Sequence, residues 1–193
     1  MNSKVNEWEN RYQTGSIGWD RGSSSNNLKY WLDNGFLMPC RILIPGCGNG
    51  YEVIKLAELG FDVVAIDIAP TAINNLQSAL DKKGLKAELI LSDFFKWQPT
   101  QKFDAIFEQT SLCALPPELW KQYESQLTHW LNPQGKLFAQ FIQTGKEGGP
   151  PFHCELNEMF DLFPENRWHW SEEHSLQEKE LGKTEILYLL RRP

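Results

Sequence analysis

Residues 41 to 52, Arg-Ile-Leu-Ile-Pro-Gly-Cys-Gly-Asn-Gly-Tyr-Glu, restrict this chain more than any other stretch. A short apolar run, Ile42 to Ile44, breaks into glycines at alternate positions, Gly46, Gly48 and Gly50. A helical pattern follows through Val53, Ile54, Leu56 and Ala57, and then a second apolar run, Phe61 to Ile66, ends on Asp67. Strand, glycine turn, helix and acid-tipped strand form one ribose-binding half of a doubly wound α/β sheet. Glycine suits the turn because the chain bends sharply there and a ligand must approach its backbone. The acid stands 21 residues after Gly46, where a carboxylate can accept from both hydroxyls of a ribose.

The spacing also bears on which nucleoside is bound. Dinucleotide-binding turns read G-x-G-x-x-G, so that a pyrophosphate can rest on the helix N-terminus. Tyr51 occupies the third of those glycine positions, and the glycines here read G-x-G-x-G. That pattern resembles motif I of the class I S-adenosylmethionine-dependent methyltransferases, whose ligand has no phosphate. Dinucleotide-dependent oxidoreduction is disfavoured by the same residue.

At 193 residues the chain is most simply one domain, 1–193, with residues 1–34 as an N-terminal helical lid segment. A formal net charge of -6 argues against a protein that lives on nucleic-acid phosphates. No apolar stretch approaches the roughly 20 residues of a membrane span, and the N-terminus lacks a signal-peptide core. The four cysteines, Cys40, Cys47, Cys113 and Cys154, show neither zinc spacing nor a disulfide framework. The expectation is a cytoplasmic protein with no metal, no nucleic-acid partner and no membrane, a monomer acting on a small molecule.

Helices are expected over 4–13, through Leu28, Trp31 and Leu32, over 50–59, and from Pro70, which suits a first helical turn. Strands are expected at 41–45, 62–66, 86–90, 103–108 and 136–142, the fourth with the alternation of a partly buried edge. A helix should run from Pro116-Pro117-Glu118 to about Trp130, with Asn132 to Gly135 as a turn. A last helix through Leu156, Met159 and Phe160 precedes extended runs at 167–171 and 184–190. Two final strands joined by a loop imply a closing antiparallel hairpin. The fold class is therefore a Rossmann-like, doubly wound, seven-stranded, mostly parallel sheet with an antiparallel last strand.

In such a sheet the ligand lies beyond the carboxyl ends of the strands. The tips are Pro45 to Gly50, Asp67-Ile68, Ser92-Asp93-Phe94 and Glu108-Gln109-Thr110. Asp93 could accept from an adenine amino group and Phe94 offers an apolar contact, against the plainer reading of Asp93 as a turn acid. Glu108 could orient a substrate or satisfy backbone donors, and Gln109 lies where the methyl-bearing end of a donor is expected.

Eight tryptophans are many for this length. Trp130, Trp168 and Trp170 read as core. Trp8 and Trp19 lie in a polar, glycine-containing N-terminal segment, where core packing explains them less well. Aromatic faces attract cations by about 0.5 to 2 kcal/mol when desolvated, and a sulfonium is a cation. A lid bearing Trp8, Tyr12 and Trp19 could close over such a ligand; plain packing of the N-terminal helix is the competing account.

The opening segment, Trp8-Glu9, Tyr12 and Gly18-Trp19-Asp20, resembles that of the thiopurine S-methyltransferase superfamily, especially its plant halide and thiol methyltransferase branch. The branch is also similar at Ile44 to Glu52, Ala65 to Ala72, Asp93 to Trp97, Phe103 to Thr110, Cys113-Ala114 and Gly148 to Phe152. The resemblance implies S-adenosyl-L-methionine as methyl donor and S-adenosyl-L-homocysteine as product. It puts donor contacts on Trp8, Tyr12, Trp19, Gly46, Asp67, Asp93, Phe94 and Gln109, to which the strand-tip pattern adds Cys47, Gly48, Ile68 and Ser92. Two residues depart from it. Tyr12 replaces a tryptophan, and Gln109 stands where the plant branch has tyrosine and the thiopurine branch arginine.

The implied reaction is methyl transfer to a small soft nucleophile, foremost a thiol. Halide, hydrogen sulfide, thiocyanate, aromatic thiol and thiopurine all fit. Two alternatives stand beside it: a donor-binding domain without catalysis, and a methyltransferase of nucleic-acid bases or protein side chains. The second is disfavoured because Glu108-Gln109-Thr110-Ser111 replaces the Asn/Asp-Pro-Pro-aromatic motif of amino-methylating enzymes.

Overall fold

Strand β1 (Arg41–Pro45) buries Ile42, Leu43 and Ile44, and strand β2 (Asp62–Asp67) buries Val63 to Ile66. Continuous apolar runs of this kind are what a parallel sheet covered on both faces requires. The two strands pair in parallel, Pro45 beside Ile66, and β3 (Glu88–Leu91) pairs with β2 so that Asp67 sits beside Leu91. The computed structural model describes residues 3–180 and 183–193.

The polypeptide divides at Gln98 and Pro99 into two compact units. The first holds strands in the order β3-β2-β1. Its helices are α1 (Ser3–Gln13), α2 (Asn26–Asp33), α3 (Tyr51–Glu58) and α4 (Pro70–Lys83). Val53 and Leu56 of α3 and Ala72, Leu76 and Leu80 of α4 form the apolar stripes of those helices, and all five are buried. Helix α4 ends at Gly84, whose left-handed conformation releases the chain. Strand β3 begins two residues later than its apolar run predicts, and no residue in it is fully buried.

The second unit holds β4 (Phe103–Glu108), β5 (Leu131–Gln143), β6 (His169–Glu180) and β7 (Lys183–Arg191) in the order β4-β5-β7-β6. β4 and β5 are parallel, and β7 runs antiparallel between β5 and β6, as the closing-hairpin expectation requires. Two expectations are corrected here. Strand β4 lacks the alternation of an edge, since every residue in it except Asp104 is buried. Asn132 to Gly135 do not end a turn before the strand; they form an irregularity within β5, where the partner shifts from Phe103–Leu131 to Ala105–Lys136. Gln134 takes φ 65° there, so the turn-forming residues 132–135 bend the chain locally, but inside the strand.

Helix α5 (Ser111–Ala114) follows β4, a 3-10 turn spans Pro117–Leu119, and α6 (Trp120–Trp130) runs into β5. Helix α7 (Leu156–Leu162) precedes β6. Trp130 and Trp168 are fully buried, as core readings predict. Trp170 is half-buried, stacks near Phe160 and Tyr188, and donates its indole N–H to the Phe163 carbonyl.

Candidate donor-binding crevice

Parallel pairing brings the carboxyl ends of β1, β2 and β3 side by side, and the turns leaving them carry the residues predicted to hold a nucleoside. Backbone bonds tie these turns together: Cys47 N–H donates to Ile66 O at 3.1 Å, and Ser92 N–H donates to Asp67 O at 3.0 Å. Gly48 adopts φ +55°, and a Cβ there would stand 3.0 Å from the Tyr12 hydroxyl. Gly50 adopts φ +75°, and a Cβ there would fall 2.3 Å from Leu76 Cδ1. Gly48 therefore lets another group close on the backbone, whereas Gly50 lets α4 pack under the turn.

Asp67 is 7% exposed. Its Oδ2 accepts from Gly48 N–H and its Oδ1 from Ala69 N–H, both at 2.9 Å. Burial raises its pKa, backbone donors from Ala69, Gly48 and Ile68 oppose the rise, and the Glu9 charge adds to it. A carboxylate oxygen can accept more than one hydrogen bond, so a hydroxyl donor can be added at each without displacing either amide. Burial, followed by the Asp67 charge, keeps both the Cys47 thiol and the Tyr12 phenol protonated well beyond their ordinary range. Cys47 is a small buried wall of the turn.

Asp93 accepts from Phe95 N–H at 3.0 Å, and its carbonyl accepts from Lys96 N–H at 2.9 Å. It thus shapes its own turn, as the plainer reading has it, and keeps Oδ2 outside that bond. Ser92 and Phe94, which flank it in sequence, are half-buried, as is Ile68 after β2.

The N-terminal segment lies against the glycine turn. Trp8 and Trp19 meet edge to face at 5.4 Å between centroids, and Tyr12 meets Trp19 at 5.8 Å. Trp8 and Tyr12, four residues apart, share one face of α1. Two carboxylates fasten the segment. Glu9 accepts from Thr71 N–H at 2.9 Å and from Thr71 Oγ at 2.6 Å. Asp20 accepts from Asn49 Nδ2 and from the Tyr51 hydroxyl, the latter at 3.1 Å. Sequence reasoning passed over Glu9, Asp20, Asn49 and Thr71 as site residues. Glu9 and Asp20 are neighbours of Trp8 and Trp19 in the motifs quoted above, and that adjacency was the available signal.

In the second unit, Glu108 is 2% exposed at the end of β4. Its Oε1 accepts from Leu112 N–H at 2.7 Å. Burial pushes its carboxyl up to about 7, against the pull of the Leu112 and Ser111 amides and with the added repulsion of Glu185. Its visible work is to cap α5. Thr110 holds φ 67°, a conformation that β-branched residues rarely adopt, so the 108–112 turn is strained and pinned. Gln109 accepts from Gln140 Nε2 at 3.3 Å.

The family model for thiopurine S-methyltransferase (TPMT) matches residues 3–188. The chain belongs to the thiopurine S-methyltransferase family. It is 31% identical to a probable thiol methyltransferase 2 of Arabidopsis thaliana over 154 residues, 78% of this chain and 68% of that protein. To a thiocyanate methyltransferase 1 of Brassica oleracea it is 29% identical over 158 residues, 80% of this chain and 70% of that one. Magnesium protoporphyrin IX methyltransferase of Synechocystis PCC 6803, solved with bound SAM, superposes with TM-score 0.79 at 15% identity, over 100% of this chain and 99% of that one. The last likeness establishes the fold: the seven-stranded, mostly parallel α/β sheet of class I methyltransferases with one antiparallel end. As a member of the family the chain is an S-adenosylmethionine-dependent S-methyltransferase for small soft nucleophiles. No helix among the described residues is long and apolar enough to cross a membrane.

Proposed function

We propose that the crevice over Gly46 to Gly50 holds S-adenosylmethionine and that the acceptor is a small thiol or a comparably soft anion such as thiocyanate. The observation that carries the reading is Asp67, a buried carboxylate fixed by Gly48 and Ala69 amides at the tip of β2. The residues fit the donor. Gly48 leaves room against its Cα that any side chain would fill, Asp67 can accept from ribose hydroxyls, and Trp8, Tyr12 and Trp19 supply aromatic faces for a cation. Ile68, Ser92, Asp93 and Phe94 would line the base, with Asp93 as acceptor for its amino group.

When bound, the donor supplies a methyl group already activated by a sulfonium. The chain's own work is then to orient, to exclude water and to hold the acceptor in line. The aromatic trio serves the second task and Asp67 the first. A thiol with a reference pKa of about 8.5 is partly ionised near neutral pH, so a strong base is dispensable. The acceptor-side residues to test are Gln109 and, as a positioning residue through its cap on α5, Glu108. The names of the plant relatives support a sulfur acceptor.

The test is methyl transfer from labelled S-adenosylmethionine to thiocyanate, hydrosulfide, iodide and thiophenol. Transfer to at least one sulfur nucleophile at multiple turnovers is expected. Donor binding without transfer to any of the four would leave a binding domain and overturn the acceptor class.

A further inference from the structure

Helix α4 opens directly beneath the ribose acid, yet it has no cap of its own. Its N-cap residue is Ala69, which offers no side-chain acceptor, and Pro70 at the first position has no N–H. The first donor that needs an acceptor is therefore Thr71 N–H. It is met from 62 residues away by Glu9 of α1, which takes the Thr71 hydroxyl with its other oxygen. Two donors to one carboxylate at a helix N-terminus form a charge-assisted cap, and Glu9 is correspondingly held below its ordinary pKa by the Thr71 amide and hydroxyl.

The same five residues, 67 to 71, carry both ends of a coupling. Asp67 takes the Ala69 amide, and Glu9 takes the Thr71 amide two residues on. On α1, Glu9 lies between Trp8 and Tyr12, so the helix cannot seat Tyr12 at Gly48 without also bringing Glu9 to Thr71. An isolated 11-residue helix is marginal in water, so α1 needs such a fastening to persist. We propose that Glu9 is a positioning residue: by capping α4 in place of the missing side-chain cap, it makes closure of α1 and ordering of the Asp67–Thr71 turn a single event that retains the methyl donor. This rests on the donor reading above and adds to it the residue that couples lid to ribose site.

Three measurements on the full chain test it, with Glu9→Ala, Glu9→Gln and Thr71→Val. Without ligand, tryptic cleavage after Arg11 should be about tenfold faster in Glu9→Ala than in wild type, the scale of one lost charge-assisted cap. Calorimetric affinity for S-adenosylhomocysteine should fall about tenfold in Glu9→Ala and about threefold in Thr71→Val, which keeps the amide bond but loses the hydroxyl. Glu9→Gln, which keeps one acceptor, should lie between. In turnover, KM for S-adenosylmethionine should rise while kcat holds, whereas a merely unstable fold would lower the apparent kcat by leaving less folded enzyme.

Unchanged cleavage overturns the clasp. Faster cleavage with unchanged S-adenosylhomocysteine affinity overturns the coupling. Should wild type itself not bind S-adenosylhomocysteine, the donor reading falls and the coupling with it, while the cleavage measurement still decides whether Glu9 fastens α1.

Discussion

The Tyr51 hydroxyl donates to Asp20 Oδ1 at 3.1 Å, from the position where a dinucleotide-binding turn would have its third glycine. That glycine normally keeps the helix N-terminus open for a pyrophosphate. Here the position anchors the chain's own N-terminal segment, and Asn49, between the second and third glycines of the turn, donates to the same carboxylate. Asn49 in turn accepts from Asn75 of α4 at 3.1 Å. The departure from the phosphate-binding pattern thus has a structural use: a carboxylate occupies the turn's outer side.

The Asp20 contacts act as a unit. Tyr51→Phe should lower unfolding free energy by about 1 kcal/mol, the ordinary worth of one half-buried hydrogen bond. The double variant Asp20→Ala/Tyr51→Phe should be no less stable than Asp20→Ala alone, because the partner is already gone. Urea unfolding measures both; strictly additive losses would mean that Tyr51 contributes through packing and not through Asp20.

The two central glycines of the turn should fail in different ways. Gly50→Ala drives a Cβ to 2.3 Å from Leu76 and should cost about 2 to 4 kcal/mol, the sum of overpacking and a strained φ. Gly48→Ala meets only the Tyr12 hydroxyl at 3.0 Å, so it should cost about 1 to 2 kcal/mol of stability, the left-handed backbone term alone. Its main effect should be on donor affinity, since the added methyl would stand between the turn and Tyr12 and hold the closing segment off. Thermal melts and S-adenosylhomocysteine titration of both variants separate the cases. Equal loss of stability would contradict the assignment of the two roles.

The aromatic trio gives a test that depends on charge. S-adenosylmethionine carries a sulfonium and S-adenosylhomocysteine does not. If Trp8, Tyr12 and Trp19 attract the cation, Trp19→Leu should weaken S-adenosylmethionine by about 0.5 to 2 kcal/mol more than S-adenosylhomocysteine. Equal weakening of the two ligands, measured by calorimetry, would show that the rings only exclude water.

Much of the first unit was legible because its signals are local. Ile42 to Ile44, the glycine turn, Phe61 to Ile66 and Pro70 mark β1, β2 and the start of α4 to within a residue, since apolar runs and breakers act over a few positions. Strand β3 was placed early because Glu88 to Leu91 are only partly buried and its apolar pattern is weak. Helix α5, four residues held by the Glu108 cap, is too short for periodicity to register. The glycines and Asp67 were likewise visible, because the turn and the acid-tipped strand are set by short-range spacing. Glu9 with Thr71 and Asp20 with Tyr51 were not, for pairs 62 and 31 residues apart become evident only when α1 is docked.

Asp67 should be sensitive even to its closest isostere. Two backbone amides point at its two oxygens, and an asparagine can meet only one of them. Asp67→Asn leaves the other amide facing an NH2 group and removes one acceptor for the ribose. Asp67→Ala leaves both amides without the carboxylate. We expect donor affinity to fall by about 1 to 3 kcal/mol in either variant, the cost of unpaired buried polar groups. Unchanged S-adenosylhomocysteine affinity in a folded variant would refute the ribose assignment.

Glu108 makes stability depend on pH in a defined direction. Burial lifts its folded-state pKa from 4.5 to about 7. The folded chain therefore binds this proton more tightly than the unfolded chain does. Its favourable contribution is complete below about pH 4.5, declines as pH rises towards 7, and is absent above that, by at most about 3 kcal/mol in total. Asp67, also raised by burial, acts in the same sense. Glu108→Gln keeps an acceptor for the Leu112 amide but cannot ionise. Relative to wild type it should gain stability between pH 5 and pH 8, read as the difference in melting temperature at the two pH values. A difference that stays constant across that interval would mean that Glu108 is ionised throughout, and that the Leu112 and Ser111 amides outweigh its burial.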